Sequence, residues 1–109
     1  VGILYDSFHA NGEEKDPVGG IKKNIGSIRH VHISENDRGT PGKGHVPFKK
    51  IIKTLRQAGY DQWMTIEAFG SSLPDLAATT CVWRSLSASP EECYQVGYKT
   101  IKDGWDAAA

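Results

Sequence analysis

The sequence predicts an α/β fold built on parallel strands, and three observations carry that prediction. Strand-like apolar runs alternate with helical periodicities in the order strand, helix, strand, helix, strand, helix, the pattern of parallel strands joined by right-handed crossovers. Val1 to Asp6 is a nearly continuous apolar run, as in a strand covered on both faces of a parallel sheet. Each strand then ends on a residue able to bind a metal or move a proton: Asp6, His32 and Glu67.

The elements follow in order. After the first strand, Ser7 to Glu14 reads as a loop, with Asn11-Gly12 as a turn signal. Asp16-Pro17 starts a short helix, a capping carboxylate before proline at the first helical position. Ile21 and Ile25 give that helix its apolar side, and Gly26 ends it. Ile28 to Ser34 is the second strand. If it is extended, Val31 and Ile33 point to one face and His30 and His32 to the other. Beyond it, Glu35, Asp37 and Arg38 lie in a polar loop that could turn them toward a ligand.

Gly39 to Gly44 continues neither strand nor helix. Pro47 then opens a helix in which Phe48, Ile51, Ile52 and Leu55 keep the i, i+3, i+4, i+7 spacing, and Gly59 stops it. Lys49, Lys50, Lys53 and Arg56 fill its other face, a solvated surface. Asp61 to Glu67 is the third strand, followed by a loop through Phe69 to Ser72. Pro74 to Trp83 can form a helix. Ser89-Pro90-Glu91-Glu92 begins the last one, with Cys93, Val96, Gly97, Ile101 and Trp105 as its buried stripe and a frayed end from Asp106.

Composition narrows the function classes. The 109 residues and 39% apolar content suit a folded core, and residues 1–109 are expected to belong to one domain. Thirteen basic and thirteen acidic side chains cancel, which argues against nucleic acid or a membrane surface as partner. No apolar run is long enough to span a bilayer. Cys81 and Cys93 are expected to be reduced packing residues. No sorting signal is visible, so a reducing, cytoplasmic setting is expected. Val1 to Asp6 already reads as a core strand with no lead-in, so the chain is expected to be the C-terminal part of a longer protein.

In parallel α/β folds, active sites gather at the C-terminal ends of strands. A carboxylate, an imidazole and a second carboxylate on one rim would make a metal site. Each residue alone has a plainer reading. Asp6 could cap the following segment, and His32 could be a hydrogen-bonded core histidine. Glu67 is harder to explain that way, because glutamate is rarely buried unpaired. His9 and Arg38 are of the right kind to hold sugar hydroxyls or a carbonyl oxygen.

At these residues a family resemblance emerges. Asp6-Ser7-Phe8-His9 resembles the Asp-Thr-Phe-His segment of the ketose 3-epimerases (D-tagatose and D-psicose type) of the xylose-isomerase-like superfamily. His30 to Arg38 resembles their His-x-His-x-Gly-Glu-x-x-Arg stretch, with Ser34 where glycine is common. Pro41-Gly42-Lys43-Gly44, Pro47-Phe48, Ala58-Gly59-Tyr60-Asp61, Ile66-Glu67-Ala68-Phe69 and Val82-Trp83-Arg84 keep the family's order and spacing.

The resemblance implies the last three strand-helix units of a (β/α)8 TIM barrel of about 250 residues, closing on a C-terminal helix. It implies Asp6, His32 and Glu67 as ligands of a divalent cation, usually manganese, with magnesium or cobalt as alternatives. Glu67 would also be one of two catalytic glutamates, and His9 and Arg38 would contact the substrate. The fourth ligand and the second glutamate would lie upstream of Val1.

The expected activity of the intact protein is isomerase chemistry, C3 epimerisation of a ketohexose through an enediolate, while this piece alone would be inactive. Proton removal from one face of carbon and return to the other suits two carboxylates, and a metal stabilises the developing charge. A sugar-phosphate or hydroxypyruvate isomerase shares the fold. A non-catalytic binding remnant is the rival outside the enzymes. A metal-dependent endonuclease would want a basic groove, which balanced charge does not supply. Two open sheet edges and an uncovered apolar face would favour self-association, as a homo-oligomer, or pairing with the missing N-terminal part of the barrel.

Overall fold

The computed structural model describes all 109 residues. Strand β1 (Ile3–Asp6) leads directly into helix α1 (Ser7–Glu13), and α2 (Pro17–Asn24) then runs through a 3₁₀ turn, Ile25–Ser27, into β2 (Ile28–Ile33). Helix α3 (Phe48–Gln57), strand β3 (Met64–Ile66), α4 (Pro74–Thr79) and α5 (Pro90–Ala107) complete the order. The three strands form one sheet, β1-β2-β3, parallel throughout. No helix is long and apolar enough to cross a membrane.

The core lies on one face of this sheet. Val31 and Ile33 of β2 are fully buried against Ile21 of α2 and Ile51, Ile52 and Leu55 of α3. The expected stripe of α3 is what it buries, while Lys49, Lys50 and Lys53 stay in solvent. Helix α5 packs on α3 through small residues. Gly97 meets β3 and the loop before α3: a Cβ there would fall 2.9 Å from Ile66 Cδ1 and 3.2 Å from Pro41, so a larger residue would have to displace the Ile66 side chain. Gly104 likewise sits over Ile52.

Several expectations are corrected. Ser7 to Glu13 is a helix rather than a loop, because the Asp6 carboxylate accepts hydrogen bonds from the Phe8 and His9 amides and caps it. The Asn11-Gly12 signal is absorbed within the last turn. Strand β1 is not covered on both faces: it is an edge strand, and Ile3 and Leu4 are 45% and 50% exposed. Strand β3 is shorter than Asp61 to Glu67, with Trp63 exposed ahead of it.

Helix α4 stops at Thr79 instead of reaching Trp83, since Cys81 takes a left-handed backbone conformation (φ 58°) that breaks the helix. Helix α5 holds through Ala107 rather than fraying at Asp106, supported by Lys102 pairing with Asp106 one turn on. Its buried residues are Cys93, Gly97 and Gly104, with Val96, Ile101 and Trp105 half-buried.

The two cysteines part company. Both are free, but Cys81 is exposed and Cys93 is buried beside the Gly39 carbonyl. Burial, reinforced by the nearby Glu92 charge, pushes the Cys93 thiol above its ordinary value against a lowering contact with Thr40. A thiol reagent at neutral pH should therefore label Cys81 on the native chain and spare Cys93 until denaturant is added. Mass spectrometry of labelled peptides checks this, and early labelling of Cys93 would contradict the packing of α5.

Candidate metal centre

Parallel pairing brings the strand ends into line. Asp6 is registered with His32, and His32 with Thr65, two residues before Glu67. The Glu67 amide donates to the Ile33 carbonyl at 3.0 Å, extending the ladder past the last formal strand residue. Because Val31 and Ile33 face the helices, His30 and His32 must face the other way, their rings edge-on with centroids 5.2 Å apart.

On that face three side chains converge. His32 Nδ1 lies 3.4 Å from Asp6 Oδ2 and 3.6 Å from Glu67 Oε1. One ligand atom from each of Asp6, His32 and Glu67 falls within 4.8 Å of the other two. Donors on one small divalent ion stand at most about 4.2 Å apart, twice a bond of about 2.1 Å, and the two separations from His32 fall within that limit. An open cleft of about 580 Å³ lies over them, lined also by Leu4, Tyr5 and His9.

Asp6 divides its two oxygens, and the plainer reading, a cap on the following segment, is what its hydrogen bonds show. Oδ1 accepts from the Phe8 and His9 amides at 2.9 and 3.1 Å, while Oδ2 faces the cluster. Burial acts to raise its pKa. The His9 amide, the Arg38 guanidinium and the Phe8 amide outweigh burial and hold the carboxyl below the ordinary value.

Arg38 closes the cluster from the loop. Its Nη1 lies 3.4 Å from Asp6 Oδ2, donates to Ser34 Oγ at 3.0 Å, and pairs with Glu67 Oε2. Nη2 lies 3.2 Å from His9 Nε2, which brings His9 to the rim of the site. The guanidinium carbon sits 3.8 Å from the Phe8 ring centre and 4.9 Å from that of Phe69. Its backbone is left-handed (φ 64°), and the Phe69 amide donates to its carbonyl.

The other two loop residues turn elsewhere. Asp37 accepts from the Gly39 amide and shapes a local turn. Glu35 is buried, 1% exposed, and points inward. Its Oε1 accepts from the Asn36 and Val46 amides and its Oε2 from the Gly42 amide, so one carboxylate organises the loop from 36 to 46. A Cβ on Gly44 would fall 2.5 Å from the Glu35 carboxyl carbon. The glycine-rich run after Glu35 was the available signal, since a loop closing tightly on a side chain has no room for others. Ser7 and Ser34 also went unremarked as a pair: Ser7 Oγ donates to the Ser34 carbonyl at 2.7 Å and accepts from its amide at 2.8 Å.

Comparison with known proteins places this geometry in context. Residues 1–107 match the family described as xylose isomerase-like TIM barrel. A ketose 3-epimerase of Arthrobacter globiformis is 40% identical over 94 residues, 84% of this chain and 32% of that protein. A solved L-ribulose 3-epimerase superposes with a TM-score of 0.90 at 31% identity, covering 98% of this chain and 37% of the other. A D-allulose 3-epimerase of Methylomonas sp., solved in complex with D-allulose, gives 0.84 at 31% identity, over 94% and 36%. The chain spans about a third of the length of the curated relatives it matches.

The Glu35 arrangement yields a test. In Glu35→Gln, an amide N–H₂ must face at least one of the three backbone donors, leaving buried N–H groups unpaired. The expected cost is about 1–3 kcal/mol, read as a lower denaturant midpoint at constant slope, with faster proteolysis between residues 36 and 46.

Proposed function

The chain belongs to the xylose isomerase-like TIM barrel family, and on that premise we propose that it is the C-terminal third of a metal-dependent ketose 3-epimerase. The observation that carries this reading is the convergence of Asp6, His32 and Glu67, from three separate strand ends, to within 4.8 Å. Relatives that are ketose 3-epimerases support the reaction class, and the relative solved with D-allulose supports a ketohexose as substrate.

In this reading Asp6, His32 and Glu67 hold the cation, with manganese first and magnesium or cobalt as alternatives. A bound divalent cation would polarise the substrate's carbonyl oxygen and the neighbouring hydroxyl, easing formation of the enediolate. Glu67 takes the proton from the carbon beside the carbonyl on one face. Its carboxylate is suited to this because it is 30% exposed, open to the cleft yet held by Arg38 and faced by His32. His9 and Arg38 orient substrate oxygens: His9 lines the cleft over the cluster and accepts from Arg38 Nη2, and the Arg38 guanidinium reaches both Asp6 and Glu67. Return of the proton on the opposite face needs a second carboxylate, so the 109 residues alone carry half of the proton-transfer machinery.

Exposed Ile3 and Leu4 on one outer strand and Trp63 just ahead of the other support association with the remaining strand-helix units, which would cover them. Oligomerisation of the assembled protein and a cytoplasmic setting belong to the same proposal.

Two measurements test it. In the full-length protein, Glu67→Gln should lower ketose epimerisation by about 10²–10⁴-fold and abolish solvent deuterium uptake into the epimer whose proton faces Glu67, while the opposite epimer still exchanges through the second carboxylate. Calorimetric titration with manganese should show binding weakened at least about tenfold by His32→Ala, the scale on which loss of a supporting contact already acts. Unaltered epimerisation in Glu67→Gln would end the catalytic assignment, and unaltered binding in His32→Ala the metal assignment.

A further inference from the structure

We propose that Arg38 is the built-in counter-cation of the Asp6 and Glu67 carboxylates, and that its charge opposes the binding of a divalent cation to them. This rests on the metal reading above and adds to it an antagonism inside the site.

The observations are geometric. Asp6 and Glu67 bring carboxylate oxygens within 4.8 Å of each other, and the only permanently charged side chain paired with either is Arg38. Asp6 Oδ1 is committed to the cap of α1, so Oδ2 is the oxygen left to face either Arg38 or a metal ion. Glu67 divides its oxygens, Oε1 toward His32 and Oε2 toward Arg38. The guanidinium is 14% exposed and held by the Phe8 and Phe69 rings and by Ser34 Oγ, a built position rather than a solvated side chain at rest.

Without a metal ion, Arg38 faces two negative charges. With a divalent cation on the same oxygens, the net charge it faces falls to about zero and its attraction is lost. Arg38 therefore stabilises the cation-free form more than the loaded form. By linkage, removing its charge must tighten cation binding. The converse also follows: a bound cation weakens the hold of Asp6 and Glu67 on the guanidinium.

The test is titration of the full-length protein with manganese alone, following free Mn²⁺ by its EPR signal, for wild type, Arg38→Gln and Arg38→Lys. Arg38→Gln is expected to bind manganese at least about tenfold more tightly than wild type, and Arg38→Lys, which keeps the charge but loses the planar, ring-stacked fork, to fall between the two. Without metal, Arg38→Gln should melt below wild type, and manganese should raise its Tm by more than it raises that of wild type. Equal or weaker binding by Arg38→Gln overturns the antagonism while leaving the metal site standing. A folded full-length wild type that binds no manganese at millimolar concentration removes the metal reading, and this inference with it. Should Arg38→Gln fail to fold, the Arg38 Nε–H resonance of wild type decides: movement on adding magnesium supports release of the guanidinium, and no movement at saturation overturns it.

Discussion

The pleat of β2 governs this molecule. Burying Val31 and Ile33 under α2 and α3 leaves no choice about where His32 goes, because adjacent side chains on a strand face opposite ways. Parallel pairing on both sides then draws Asp6 and Glu67 onto the same face at the same end of the sheet. A hydrophobic requirement on one side of a strand thus assembles the polar cluster on the other. A register slip of one residue in β2 would send the imidazole into the core and the isoleucine into the cleft.

Around that scaffold, charge is handled in two distinct ways. Glu35 and Asp6 both satisfy backbone amides, but Glu35 spends both oxygens on them and becomes part of the architecture, whereas Asp6 keeps one oxygen in the cleft. The difference follows from position: Asp6 ends a strand at the rim, and Glu35 is carried past the rim to where the loop folds beneath it. Adjacency in sequence to a functional residue is therefore a poor guide to role in this stretch. Arg38, three residues further on, returns to the cluster only because its backbone turns left-handed.

Much of the site was legible because its signal is repetition: three strand runs, each closing on a ligand-type residue. The α3 stripe was legible for the same reason, with Phe48, Ile51, Ile52 and Leu55 repeating at helical spacing. What escaped had separate causes. Helix α1 is capped by Asp6, and Asn11-Gly12 alone argued for a turn. The partial exposure of β1 reflects its place at the sheet edge, which no local pattern encodes. The end of α4 turned on one residue, Cys81, whose left-handed backbone is not a cysteine habit. Only the β1 reading was overruled by the far chain; the other two turned on a residue at the end of the element itself.

The Ser7–Ser34 pair has a mechanical meaning. Where β1 has already become a helix and can no longer offer its own amide and carbonyl to β2, one hydroxyl stands in for both. It works as a rivet just beyond the seam: shear between the two strands would have to break a donated and an accepted bond at the same atom. The rigidity of the rim is thus set by a side chain with no charge and no part in the chemistry above it, and alanine there would leave the sheet intact but its upper lip free to open.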